Sequence, residues 1–281
     1  MRDERPAPPR VQRAEVRSSG AWGSSLTCGE FAAVRSAGFE PVGQVFGAAV
    51  YAAGSASGSS CPGTGPGSFG PLVQAMYQAR HTAIDRMTSE CAQFGGHGVV
   101  GVRLSRGSFR LGGLEFTAVG TAVRAPDAAY GREPFTCDLS GQDFAKLIVA
   151  GWVPAGLALG VWIGSRHDDR TTTRQARWGS GNAEIAAWTE LVSQSRHDAR
   201  RQLESDVRRL GAEGVVIAAM QLRVSQRDCP AAVGRRDHIV EATLIGTAIT
   251  RFSRTGRCSA GPALAVMPLD RERRQAASGR V

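Results

Sequence analysis

The sequence predicts an α+β fold built twice in tandem, each copy a short helix, a strand, a long amphipathic helix and a two-stranded hairpin. Three observations predict it. Residues 79–104, ARHTAIDRMTSECAQFGGHGVVGVRL, and 195–220, SRHDARRQLESDVRRLGAEGVVIAAM, share an Arg-His pair, a helix-ending Gly and a Gly-Val-Val run in step. Ahead of them, Gly38, Pro41, Gly43 and Gly47 fall on Gly151, Pro154, Gly156 and Gly160 at a constant offset of 113. Residues with special backbone preferences coincide by chance far less readily than alanines do. Behind them, the alternating segments LEFTAVGTAV from Leu114 and VEATLIGTAI from Val240 match in register.

Each element has a local cause. Thr27 with Glu30, and Ser140 with Asp143, stand at capping-box spacing, so a short helix starts there in each repeat. It stops at Ala37-Gly38 and Ala150-Gly151, where glycine takes the left-handed conformation that ends a helix. Val45 to Tyr51 and Leu157 to Ile163 then read as first strands apolar on both faces. Two long connections follow, Gly/Ser-rich at 52–70 and polar at 165–183, either of which could carry function. In the latter, His167, Asp168 and Asp169 read first as solvated groups and second as metal ligands.

The long helix carries an apolar stripe of Met76, Ala79, Ala83, Met87, Cys91 and Phe94, matched by Val192, Ser195, Ala199, Leu203, Val207 and Leu210. Cys91 aligns with Val207 and is read as a small core hydrophobe. After Gly95 and Gly211 comes a second strand, then the third, whose alternation puts Phe116, Ala118 and Gly120 on one face and Glu115, Thr117 and Val119 on the other. Gly120 and Gly246 are expected to admit the helix closely. The half-polar opposite face suits a subunit contact.

Composition bounds the rest. At 281 residues and 42% hydrophobic, the chain has material for two small cores. The net charge of +9 is spread unevenly: residues 1–24 have five basic side chains against three acids, 254–281 six against two, and 25–253 only 23 against 20. Both tails lack an apolar period and are expected to be disordered. The organisation expected is a basic tail over 1–24, repeats at 25–126 and 138–253 joined by a linker at 127–137, and a basic tail over 254–281. No secretory apolar segment stands at the N-terminus, and six scattered cysteines contain no Cys-x-x-Cys, so a reduced cytoplasmic protein is expected. The uncharged run 147–165 has near membrane-spanning length, but its four glycines and Pro154 fit a helix, a turn and a strand better.

Four charged residues are candidates for ion pairing or anion binding. Arg80 and Arg196 lie at the edge of the apolar stripe, where a buried cation must find an acceptor or an anion. Glu115 and Glu241, on the half-polar strand face, are expected to pair with a basic group such as Arg80 or Arg196 of the same or a neighbouring unit. His81 and His197 are candidate metal ligands, with a hydrogen-bonded surface or interface role as the plainer alternative.

At this point a resemblance emerges. Gly38, Phe39, Pro41, Val42 and Gly43, then Arg80, Ala83, Arg86 and Met87, then Gly98 to Arg103 and Gly120 make the first repeat similar to the YbjQ-type domain that carries the label "putative heavy-metal-binding". The second repeat departs from it at Ile217, Ala218, Ala219 and Gln202. The resemblance implies a dodecin-like strand-helix-two-strand core and, in related proteins, pentameric rings. The leading expectation is therefore a non-enzymatic homo-oligomeric assembly protein, with a divalent metal ion or a small anion held at subunit contacts and no membrane partner. An enzyme with an inter-subunit site is the runner-up, since neither catalytic spacing nor a phosphate loop appears in both repeats. Nucleic-acid contact through the Arg-rich tails ranks third.

Overall fold

The computed structural model describes residues 23–52, 67–109, 113–125, 133–176, 181–229 and 235–251. All of the basic tails but residues 23 and 24, most of the 52–70 connection and the first half of the 127–137 linker lie outside them. The elements run α1 (Cys28–Ser36), β1 (Glu40–Ala52), β2 (Gly67–Ser68), α2 (Gly70–Gln93), β3 (Gly98–Phe109), β4 (Gly113–Arg124), β5 (Phe135–Thr136), α3 (Gly141–Val149), β6 (Trp152–His167), α4 (Arg170–Gln175), α5 (Ala186–Arg209), β7 (Gly214–Asp228) and β8 (Arg236–Arg251).

The α+β expectation holds in both halves. Thr27 Oγ1 accepts from Glu30 N–H while Glu30 accepts from Thr27 N–H at 2.8 Å, closing the capping box of α1; Ser140 Oγ accepts from Asp143 N–H to start α3. Gly38 and Gly151 follow these helices at φ of 87° and 83°, as a left-handed helix stop requires. The apolar run at 147–165 is the end of α3, a turn and β6, and among the described residues no helix is long and apolar enough to cross a membrane.

Two four-stranded sheets form, ordered β1-β4-β3-β5 and β2-β6-β8-β7. Each borrows a strand. Within the first repeat's connection, β2 pairs with β6, and β5, just ahead of the second repeat, runs parallel to β3. The helix α2 packs on β1 and β4 with one flank and on β6 with the other, whereas α5 packs on the far face of β6 and on β8. The layers therefore stack as sheet, helix, sheet, helix. Leu157 and Leu159 join Val45, Ala83 and Met87 in one cluster, and Val161 and Ile163 join Met76, Ala79 and Phe116 in another. The two separate cores expected from composition are thus fused through α2, because a helix with two apolar flanks between sheets buries more surface than two exposed seams would.

Closest approach of helix and sheet falls on Gly47 and Gly160, not on Gly120 and Gly246. A Cβ at Gly47 would stand 2.0 Å from the Ala83 carbonyl oxygen, and one at Gly160 2.0 Å from that of Ala199. Gly120 and Gly246 instead face the bulges of β3 and β7, where Val99 and Val215 crowd them. Three further expectations change. Phe94 caps the end of α2 and is exposed, and residues 165–167 and 170–175 of the polar connection belong to β6 and α4. First strands buried on both faces describe β6 only: in β1, Phe46 is 51% exposed and Val50 48%.

β1 is an edge strand, and β2 pairs with β6 only at Ser165 and Gly164, so both strands would leave backbone groups bare along their outer sides, where the long helices cover them. Phe46 N–H donates to Glu90 at 2.6 Å, and Leu159 N–H to Asp206 at 3.0 Å. One turn away Arg86 donates to the Ala48 carbonyl, whereas Gln202 accepts from Val161 N–H at 2.8 Å. The Arg86-to-Gln202 difference noted in the sequence keeps the helix-to-edge link and reverses its polarity.

Candidate functional site

The seam between the repeats holds two buried charged groups, Arg80 and Asp206. Asp206, on α5, reaches through the plane of the second sheet's edge to meet the first repeat: Tyr77 Oη donates to it, and His81 Nε2 lies 3.5 Å from its Oδ2, at ion-pair distance without hydrogen-bond alignment. Burial alone would raise the Asp206 carboxyl, but the groups of His81, Tyr77 and Leu159 around it outweigh that and hold it below its ordinary 3.8. Burial, reinforced by Asp206, pushes the Tyr77 phenol up to about 12, so it remains a donor at neutral pH.

Beside this contact lies a cleft of about 200 Å³ lined by Arg80, Ser105, Arg106, Arg223, Glu241 and Thr243, among others. Nη1 of Arg106 meets both Glu241 oxygens, at 2.7 and 2.8 Å. Arg80 is 7% exposed; it donates to the Met76 carbonyl at 3.0 Å and lies 4.9 Å over the Phe116 ring. Thus Arg80 and Glu241 share one cleft, with Arg106 of β3 as the group that bonds Glu241. Glu115, the counterpart of Glu241, is half-buried on the outer face of the first sheet, and Arg196 and His197 are exposed on α5. The two Arg-His pairs consequently have opposite surroundings, one in the seam and one on the surface.

A second cluster joins His167 and Asp168, which the sequence offered as alternative metal ligands, to Cys229, Asp237 and His238, which it did not single out. At the tip of the second sheet, His167 ends β6 and Asp237 is the second residue of β8, paired in register, and their Nδ1 and Oδ1 lie 2.9 Å apart. Cys229, just past β7, completes a group whose ligand atoms lie within 4.8 Å of one another, all three residues buried. Arg227 Nε donates to the second Asp237 oxygen at 3.3 Å. Next to it, His238 Nε2 meets Asp168 at 2.9 Å, and Trp188 Nε1 donates to the same carboxylate at 3.2 Å. The register sets His167 opposite Asp237 but His238 opposite Arg166, so His238 reaches Asp168 diagonally, just past the end of β6. The reversed His167-Asp168 and Asp237-His238 dipeptides are the trace of this cluster in the sequence. Asp168 is therefore a fixed partner, not a solvated charge, while Asp169 caps α4 through Thr172 N–H at 2.7 Å.

Imidazole, thiolate and carboxylate together form a donor set that fits a divalent ion of borderline softness, and Arg227 would pin the carboxylate from outside. All three donors come from the second repeat, so this candidate metal cluster is not one between repeats. The same trio could be drawn as a thiol–imidazole–carboxylate triad, but Cys229 is 6% exposed, too covered for a substrate to reach. Burial pushes the Cys91 thiol up to about 11 and that of Cys137 to about 12, so neither is a nucleophile at neutral pH.

Fold and sequence together define a duplicated YbjQ-like protein: the YbjQ family profile, described as "Putative heavy-metal-binding", matches residues 40–126, from β1 to just past β4. The chain is also 37% identical over 203 residues to the encapsulin nanocompartment protein Rv1762c of Mycobacterium tuberculosis, covering 69% of this chain and 75% of that one. It belongs to the family of that protein.

Proposed function

We propose that this chain is a non-enzymatic assembly protein whose copies join head to tail in the cytoplasm, α5 of one copy lying on the open face of the first sheet of the next. One observation carries the reading. At the offset of 113, exposed Phe46 and Val50 of β1 correspond to Leu159 and Ile163 of β6, which α2 covers to 0% and 5% exposure. The outer flank of α5, with Ser193, Arg196 and His197, corresponds to the flank of α2, with Tyr77, Arg80 and His81, that does the covering. Each copy thus holds one completed seam and the two unmatched halves of another. Since Asp206 corresponds to Glu90, the internal His81–Asp206 pair has its counterpart in His197 meeting Glu90 of the next copy, and Arg196 is placed toward Glu115. A head-to-tail contact of this kind closes into a ring if its rotation allows. The name of the relative from M. tuberculosis supports placing such an assembly in an encapsulin nanocompartment.

Within this reading the working domains are 25–126 and 138–253, separated by the linker 127–137. The first repeat keeps more of the family pattern, as the reach of the profile over 40–126 supports.

Light scattering of the full chain tests the proposal: a mass at a multiple of 29.7 kDa is expected, with Phe46→Asp releasing monomer and His197→Ala weakening the assembly. A concentration-independent monomer would end it.

The donor set at the sheet tip favours a second reading, in which each chain holds one divalent ion at His167, Cys229 and Asp237. Elemental analysis of the purified protein beside Cys229→Ser and a His81→Ala/His197→Ala double variant separates the two candidate sites. Stoichiometric zinc lost only in Cys229→Ser supports the tip; loss only in the double variant supports the histidines of the long helices; metal-free wild type refutes both.

A further inference from the structure

We propose that the cleft between the repeats binds one small phosphate-type oxyanion per chain, held by Arg80 and Arg223 with Arg106 at its rim. The charge balance of the lining points to it. Three guanidinium groups face a single carboxylate in a space of about 200 Å³. That carboxylate is already engaged, because Arg106 Nη1 bonds both oxygens of Glu241. Arg80 and Arg223 are left as the cationic excess, and Arg80 is the costly one: at 7% exposure its bonded acceptor is the neutral carbonyl of Met76. Burial pushes Arg80 down to about 10, with Glu241 opposing that shift and Arg106 and Arg223 adding to it. A multivalent anion in the cleft offsets both repulsions at once. Planar guanidinium forks bond the oxygens of a tetrahedral oxyanion in pairs, which a spherical halide cannot reproduce.

The repeat relation says where the site cannot recur. Arg106 opposes Phe116 in the first sheet, and the matching pair in the second is Leu222 opposite Ala242. Likewise Arg223 opposite Glu241 matches Gly107 opposite Glu115. A seam between copies would therefore bring together Arg196 and Glu115, one charge of each sign, with Leu222 and Gly107 in place of the other two arginines. Only the internal seam carries excess positive charge. The site is independent of assembly, and its failure would leave the head-to-tail contact untouched.

Calorimetric titration of the full chain with inorganic phosphate, against chloride at matched ionic strength, tests this. Saturable binding of one phosphate per chain is expected, and Arg223→Gln, an exposed position that the fold does not need, should weaken it about tenfold. Arg80→Gln should abolish binding, with circular dichroism showing that the variant is folded; if it is not, the Arg223→Gln comparison decides alone. A nucleoside monophosphate titrated in parallel identifies the source: tighter binding than free phosphate assigns a phosphorylated metabolite, weaker binding the inorganic ion. Chloride equal to phosphate, or Arg223→Gln equal to wild type, overturns the site, as does a stoichiometry of two.

Discussion

Asp206 is the residue on which the seam turns, since one carboxylate accepts from the β6 backbone, from Tyr77 and, at longer range, faces His81. Replacing it by Ala strands a buried N–H and a phenol, and a loss of ~2–4 kcal/mol is expected in urea denaturation. Because its folded pKa is lowered, its contribution is fully present above the ordinary 3.8 and disappears as pH falls through the lower folded value. Tyr77 has the opposite sign. Its folded pKa is raised from 10.0 to about 12, so its contribution holds below pH 10 and is lost as pH rises through the folded value. Denaturation midpoints followed from pH 9 upward should fall more steeply in wild type than in Tyr77→Phe; parallel curves would remove Tyr77 from the alkaline response. The sequence singled out Arg80 because a repeated Arg beside an apolar stripe needs an acceptor. It did not show Arg106 as the group bonding Glu241, because the two are 135 residues apart and meet only after the sheets stack.

At the scale of elements, local chemistry does what it should. The capping box forms in full at Thr27 and Glu30, whereas at Ser140 only the hydroxyl cap forms, with Asp143 accepting from that hydroxyl, and both glycine stops take positive φ. Gly47 and Gly160 give the sharper test of helix on sheet. At either position alanine would collide with helix backbone that cannot move aside, so Gly160→Ala should cost ~1–3 kcal/mol or more. Gly70, where an added Cβ would meet nothing within 4 Å and which lies in the first turn of α2, is the control: Gly70→Ala should be neutral or stabilise by up to ~1 kcal/mol. Equal effects of the two substitutions in chemical denaturation would mean that the close approach is absent. The glycines at offset 113 were legible as a repeated constraint, whereas which glycine faces the helix was not. Alternation assigns residues to faces, but it cannot say which strand lies under the helix axis.

For the whole molecule, three features tie the repeats together: α2 between the sheets, β2 added to β6, and β5 added to β3. Fluorescence and circular dichroism should therefore report one coincident unfolding transition, and two separated transitions would show that the repeats are independent. The Arg106–Glu241 pair is the natural gauge of that coupling. A double-mutant cycle on it should return ~1–3 kcal/mol of interaction, since both side chains are largely buried.

By itself the sequence determined the duplication, the order of the main helices and strands though not β2, β5 or α4, where the short helices start and stop, and the apolar stripe of each long helix short of Phe94. All of these follow from hydrogen bonding and periodicity over a few neighbouring residues. Only the tertiary structure decided that the two repeats are not equivalent. Residues matched in sequence, such as Phe46 and Leu159 or Arg196 and Arg80, end in opposite environments because one chain can complete a single inter-repeat seam. It also decided the company of His167, Cys229 and Asp237, and of Arg80, Arg106 and Glu241. Those groupings arise where distant strands and stacked sheets meet, and burial and charge are then set by neighbours that no local pattern records.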